Sequence, residues 1–340
     1  SSHCGRSIEN AKGHATRQCM PPGLRVVGAT AQRSSRGSSG RAVLKRPAAA
    51  SLRAEEEEEP LRAVAGLLKR PASSSAASSS PSAAMPDTYQ RKSSKVADGV
   101  EGVDSNGQRY DSMSTFWSSA LEGRAGARDE WYAKATSYWE GQDATLDGIM
   151  AGYAHTSEPD LKESRLFLQQ LQKELSPPPG SALVLDCGAG VGRVSEGLLR
   201  GAFAEVDLLE PSGRLLEAAK QKLPTGGRKF IEEPLQTHQP EEGAYDVVWN
   251  QWVLLYLPDD DLVSWLDRCK RALKPAGVVV VKENVVIQGC WHVDCEDNSI
   301  MRTDEQYKAI FKSAGLEVVA EALQQCWPKG LFPVKMYALR

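Results

Sequence analysis

The sequence predicts an α/β fold, a seven-stranded, mostly parallel sheet with helices on both faces. Three observations predict it. Short aliphatic runs alternate with helical patterns from residue 182 to the carboxyl end, a glycine turn follows the first of these runs, and no two helical patterns adjoin without a strand pattern between them.

The first run, "ALVLDCG" (Ala182 to Gly188), is continuous and short, as in a strand covered on both faces, and "GRVSEGLLRGAF" is the helix packed over it. "EVDLLEP" (Glu205 to Pro211) is the second strand, followed by a helix through Leu223. "KFIEE" and "YDVVW" supply strands three and four. In "DDLVSWLDRCKRAL", Leu262, Leu266, Cys269 and Leu273 form one stripe, with acids at the start and bases at the end, as the helix dipole favours. "GVVVVKENV" is strand five; after a polar insert come a helix at Asp304 to Ser313, strand six at Leu316 to Ala322 and a last strand at Val334 to Leu339. Ahead of the sheet, Leu168, Leu171 and Leu175 share a helical face that Pro177 to Pro179 terminates, and aromatic density rises at "RDEWYAKATSYWE" (Arg128 to Glu140). Extra amino-terminal helices therefore precede the sheet.

Charge divides the 340 residues unevenly. Residues 1–127 carry 18 Lys+Arg against 12 Asp+Glu, the remainder 23 against 32, so the body is net acidic, suits a cationic partner and argues against a nucleic-acid groove. The head is a low-complexity Ser/Ala/Arg/Pro segment with a crude repeat, "LKRPAAAS" and "LKRPASSS", around five consecutive glutamates. It cannot bury enough apolar surface to offset chain entropy. Residues 1–110 are expected to be disordered, 111–127 to be a linker, and 128–340 to be the folded domain. A solvated tail is the favoured reading of the head, with cytoplasm or nucleus as the compartment; the basic balance of residues 1–50 also suits an organellar transit peptide. Seven scattered cysteines without a CxxC pair read as reduced thiols, no apolar run is long enough to span a bilayer, and nothing points to an oligomer, so a monomer is expected.

In such a fold ligands sit at the carboxyl ends of the strands. Gly188, Gly190 and Gly192 follow the first strand as G-x-G-x-G, and Arg193 stands where a dinucleotide site carries its third glycine. Asp186 precedes the turn and Glu210 ends the second strand. Two acids there disfavour phosphates and suit a cationic nucleoside, with Glu210 placed to accept from ribose hydroxyls. S-adenosyl-L-methionine meets that description, and Arg193 is placed to pair with its carboxylate. Cys187 reads as a small packing residue, and His155 and His292 are not spaced with other ligands, so no metal is assigned.

Residues 128–340 resemble the alpha-N-terminal protein methyltransferases through "WYAKATSYW", "TLDGIMAGYAH", "LDCGAGVGRV", "YDVVWNQWV", "VVKEN" and the closing "ALR". Those enzymes methylate the terminal amine of proteins beginning Xaa-Pro-Lys or Xaa-Pro-Arg. The resemblance implies a class I Rossmann-like S-adenosylmethionine-dependent methyltransferase. It implies that Gly188, Arg193, Glu210, Pro211, Ser212, Leu235, Gln236 and Gln251 line the cofactor, with Trp139 and Ile149 closing over it. It also implies that Trp252 stacks on the substrate proline, Asn284 holds the amine, and Asp294, Asp297 and Ser299 line the peptide entrance. Tyr256 stands where the family has His, Phe332 replaces a Tyr, and "HVDCEDNS" carries one extra residue, which leaves Asp294 and Asp297 an alignment choice.

Methyl transfer to an amine requires position and an unprotonated nucleophile. A terminal amine, at a reference pKa of about 7.7 to 8.0, needs less help than a lysine at about 10.4. Asp297 is the expected proton acceptor and Asn284 the group that orients the nitrogen. Tyr256, a phenol of pKa about 10, is a poor base near neutrality, though it can relay a hydrogen bond. Trp252 read alone is more often a core aromatic than a platform, and the acidic loop is as much a solvated turn as a binding loop; the place of Trp252 past the strand end, and a net-acidic body facing a basic substrate, favour function. Two rivals remain at this level: a small-molecule methyltransferase with a closed apolar pocket, and a degenerate binding module.

Overall fold

The computed structural model describes the backbone of Arg25–Val26 and residues 99–340. Its principal sheet runs β6 (Gly227–Ile231), β5 (Glu205–Leu209), β4 (Leu183–Cys187), β7 (Tyr245–Gln251), β8 (Leu273–Asn284), β12 (Val334–Leu339), β11 (Val318–Leu323) and, at the edge, the two-residue β1 (Arg25–Val26). Strands β6 to β8 are parallel; β12 inserts antiparallel between β8 and β11. The seven expected strands are present.

Burial on both faces explains the continuous apolar runs. All seven residues of β7 are buried, and Val278 to Val281 of β8 have no exposure at all. On one face α7 (Asp259–Ala272) and α8 (Asp304–Ser313) pack Leu262, Trp265, Leu266, Ile310 and Phe311 into the core. On the other, α4 (Ser157–Glu174) and α6 (Gly213–Lys222) contribute Phe167, Leu168, Leu171, Leu216 and Ala219. Helix α8 starts with a complete capping box, Thr303 and Gln306, and α7 has three aspartates in its first turn, where the dipole favours them. Leu273, expected on the stripe of α7, is the first residue of β8. The helix expected after the glycine turn is a π-helical turn, Ser195–Leu199, continuing into the short α5 (Arg200–Ala202).

A second sheet, ordered β10 (Ser299–Met301), β9 (Trp291–Asp294), β2 (Gly102–Asp104) and β3 (Arg109–Tyr110), corrects the expected domain boundary. Residues 102–104 pair in parallel with Trp291–Val293, and α1 (Met113–Leu121), within the expected linker, packs Met113 and Phe116 against Trp131 and Trp291. Gly102 is required: a Cβ there would lie 2.2 Å from the Trp291 ring. The segment escaped notice because its burial depends on a tryptophan almost 190 positions later rather than on its own periodicity. Residues 1–98 other than Arg25–Val26 lie outside the described residues, as do the readings made for them.

Among the described residues no helix is long and apolar enough to cross a membrane. Among the described residues Cys187, Cys269, Cys290 and Cys295 are free thiols.

If residues 101–127 belong to the core, Phe116→Ala lowers stability by about 3–5 kcal/mol in urea unfolding. An unshifted midpoint would return the segment to the status of a linker.

Candidate active site

The carboxyl ends of β4, β5, β7 and β8 open on a cavity of about 430 Å³. Its floor is the glycine turn, where Gly188, Gly190 and Gly192 have φ of 67°, 54° and 76°, the left-handed region that glycine tolerates. A Cβ at Gly188 would lie 2.6 Å from Val253, whereas one at Gly190 would meet nothing nearer than Ile149 at 4.0 Å. The missing side chain of Gly190 thus leaves space between the turn and Ile149 of α3 (Leu146–Ile149). The backbone N–H groups of Gly188 and Ala189 donate to the Leu209 carbonyl and that of Gly192 to Ala189, while Gly190 donates to Glu210. Their use within the protein removes the ring of free donors that a phosphate would need.

Glu210 follows β5 directly and is buried. One carboxylate oxygen accepts from Gly190 N at 2.9 Å, the other from Ser212 N at 3.0 Å, and burial pushes its pKa up to about 7. Ser212 also caps α6 through Leu215 N, which places Pro211 and Ser212 on the wall. Asp186, expected to face a cationic ligand, does not line the cavity: it accepts from Ser195 Oγ at 2.6 Å, and burial raises it to about 6.

Arg193 differs in its partner. Its Nη1 pairs with Asp160 at 2.8 Å, so the carboxylate expected from a ligand is already supplied in part by α4. Asp160 also receives the Lys282 ammonium at 2.5 Å and Gln251 Nε2 at 2.9 Å, and neither Asp160 nor Lys282 has any solvent exposure. Burial raises the Asp160 pKa, but Lys282 and Arg193 more than offset it and hold the carboxyl below the usual range. Gln251 is completed by Trp249 Nε1, and Trp249 is fully buried in the core.

Trp252 is half-buried and has φ 52°, unusual for a bulky residue. Its N–H donates to Lys282 O at 3.0 Å, and the next two N–H groups, of Val253 and Leu254, both donate to the buried Glu283. The Arg193 guanidinium lies 5.2 Å from the Trp252 ring centre and the Trp327 ring 5.8 Å, tilted by 41°. The indole therefore faces the cavity between a cation and a second aromatic.

The lining also takes in Trp139 of α2 (Ala127–Gly141), Tyr256 after β7, and Asp294, Asp297 and Ser299 at the β9–β10 turn. Asp297 accepts from Ser299 N at 2.9 Å and from the Tyr256 hydroxyl at 3.2 Å, and burial raises its pKa. Asn284 closes the end of β8; Leu235 and Gln236 line the wall, their carbonyls held by Arg268. Every site residue that the resemblance implied borders this one cavity.

Residues 127–340 match the family model described as AdoMet dependent proline di-methyltransferase. The chain belongs to that family. Alpha N-terminal protein methyltransferase 1 of Arabidopsis thaliana is 41% identical over 249 residues, 70% of this chain and 90% of that protein. N-terminal Xaa-Pro-Lys N-methyltransferase 1-B of Xenopus laevis is 39% identical over 214 residues, 62% of this chain and 96% of that one. Among solved structures, a SAM-dependent methyltransferase of Leishmania major aligns with a TM-score of 0.66 at 39% identity, covering 71% of this chain and 96% of the other.

The site fits the donor that the family uses. S-adenosylmethionine carries no phosphate, in keeping with a turn whose N–H groups are used internally; Glu210 retains lone pairs for a ribose diol, and the Gly190 gap leaves room beside Ile149. Sequence reasoning missed Trp327, Tyr132, Tyr153 and Met301 on the lining, and Asp160 and Lys282 beneath it. Lys282, a charge inside an aliphatic strand, was the available signal: a buried ammonium requires a buried partner.

Glu210 makes stability depend on pH. The folded carboxyl keeps its proton to about pH 7, whereas an unfolded glutamate releases it near about 4.3. Its stabilising share is therefore complete below the lower value and is lost as pH rises through the upper one. Without cofactor, Glu210→Gln should gain on wild type by on the order of 3 kcal/mol between about pH 4 and about pH 8 in urea unfolding. Asp186 and Glu283 titrate in both proteins and cancel. A constant difference across that range would contradict the buried placement.

Proposed function

We propose that this chain transfers methyl groups from S-adenosyl-L-methionine to the α-amine of protein N-termini beginning Xaa-Pro-Lys or Xaa-Pro-Arg. The observation that carries the reading is Trp252, a half-buried indole at the end of β7, flanked by Arg193 and Trp327 in a cavity that Asp294 and Asp297 also line. A flat indole face suits a pyrrolidine ring, which offers no side-chain donor or acceptor. The acids at the rim, joined by the exposed Glu296, suit a terminal ammonium followed by a basic side chain. The names of the relatives agree with this substrate class.

When bound, the donor supplies a methyl carbon activated by sulfonium. The protein's task is to hold Glu210, Pro211, Ser212, Leu235, Gln236, Gln251, Trp139 and Ile149 around it and to present the amine unprotonated. Asp297 takes the amine proton, directly or through water. Its burial raises its basicity above that of an exposed carboxylate, and the Ser299 and Tyr256 hydrogen bonds fix its plane. Asn284, at the end of β8, orients the nitrogen with its side-chain oxygen. Tyr256 is no base: burial, and then the Asp297 charge, push its pKa well above the usual value. The same reading takes the domain as a monomer with no nucleic-acid partner.

The assay supplies labelled cofactor with an Ala-Pro-Lys peptide, its N-acetylated twin and an Ala-Ala-Lys control. Label in the first alone is the expected result. Label in the acetylated peptide moves the acceptor to a side chain, and label in none of the three returns the small-molecule reading. Asp297→Asn should lower turnover on the order of 10²-fold. Trp252→Ala should raise KM for Ala-Pro-Lys by about tenfold while leaving cofactor affinity within about twofold.

A further inference from the structure

Helix α2 touches both halves of the cavity. Its carboxyl end is clasped by Arg214 of α6, whose Nη2 donates to the carbonyls of Trp139 at 3.2 Å, Glu140 at 3.1 Å and Gln142 at 2.5 Å. Arg214 lies two residues after Ser212, so the clasp ties α2 to the wall that begins with Glu210. Earlier in α2, Trp131 Nε1 donates to the Tyr256 carbonyl at 2.9 Å and the Trp131 carbonyl accepts from Asn298 at 3.1 Å, next to Asp297. Between these anchors Trp139 Nε1 donates to the Tyr256 hydroxyl at 2.9 Å, and that hydroxyl lies 3.2 Å from Asp297 Oδ2.

The direction of this chain is not free. An indole N–H can only donate, so the tyrosine oxygen must accept from Trp139, and its single proton is left for Asp297. The terminus of the relay is therefore an acceptor oxygen on the acidic loop. Three segments 117 and 41 residues apart meet at one phenolic oxygen, with both its donor and its acceptor roles used. The Trp139 and Tyr256 rings add an edge-to-face contact, 6.4 Å between centres at 85°.

We propose that Tyr256 is a positioning residue that couples the two halves of the site: through its hydroxyl, the seating of Trp139 on the cofactor side and the orientation of Asp297 on the peptide side become one event. The proposal rests on the peptide-methylating reading above. An indole drawn onto bound donor holds the hydroxyl, the hydroxyl holds Asp297 Oδ2, and Ser299 N holds Oδ1. What remains of the carboxylate then points where a terminal amine enters. Bound donor thus raises peptide affinity, and bound peptide raises donor affinity by the same factor.

The test measures affinity for an Ala-Pro-Lys peptide, labelled at its carboxyl end, with and without saturating S-adenosylhomocysteine. In wild type the nucleoside should tighten peptide binding by about tenfold, within the usual span of such couplings. Tyr256→Phe keeps the ring and removes the hydroxyl; its factor should fall below about twofold, with the melting temperature reporting an intact fold. Trp139→Phe cuts the relay from the other end, and its factor should fall likewise even if the tyrosine variant does not fold. A factor in either folded variant equal to that of wild type overturns the coupling, as does a wild type without one. If wild type methylates the peptide and the coupling is absent, only the relay fails; if wild type neither binds nor methylates the peptide, the functional reading fails and the relay with it.

Discussion

The structure depends on Asp160. This carboxylate joins α4 to β7, β8 and the residue following the glycine turn, through Gln251, Lys282 and Arg193. Such a group is stable only as a set, because an isolated buried charge costs several kcal/mol and loss of one partner typically costs about 3–5 kcal/mol. Lys282 completes the set through the Asp160 carbonyl and Ser164 Oγ, so the ammonium is held by α4 alone. Helix and sheet are locked in register by charge as well as by apolar packing.

The lock also sets the shape of the platform. Residues 282 and 283 face opposite sides of β8, and each acts on the segment after β7. The Lys282 carbonyl takes the N–H of Trp252, and the Glu283 side chain takes those of Val253 and Leu254. These bonds hold Trp252 in a backbone conformation that its size disfavours. The indole then lies beside Arg193, whose guanidinium is itself fixed by Asp160. One network thereby positions a cation, an aromatic face and a strand end.

The second sheet has a different task. The β9–β10 turn carries the acidic rim, and it is supported from below by β2, α1 and the Trp291 cluster rather than by the main sheet. Glycine at 102 allows β2 to lie against the Trp291 ring and to pair with β9, the strand that Asp294 ends. The acidic side of the cavity is thus supported by β2 and α1, which precede the family match at 127, whereas the glycine turn and Glu210 lie wholly within it.

Much of this was legible in the residues. Continuous runs such as Val278 to Val281 read as strands because both faces are covered, and the stripe of Leu262, Leu266 and Cys269 read as a helix because its period is local. The glycine turn, Glu210 and the polar residues after each strand were in place for the same reason: an α/β chain gathers the carboxyl ends of its strands at one edge. What the sequence by itself determined was therefore the order of elements, the edge where ligands bind and the residues that border it. Tertiary structure alone decided that Asp186 turns to Ser195, that Arg193 meets Asp160, that residues 102–121 join the fold and that Tyr256 links Trp139 to Asp297. Most of those pairings join positions tens to nearly 200 residues apart. Periodicity reports only how a segment meets its own neighbours, and a buried polar group is satisfied by whichever partner the whole chain brings within about 3 Å.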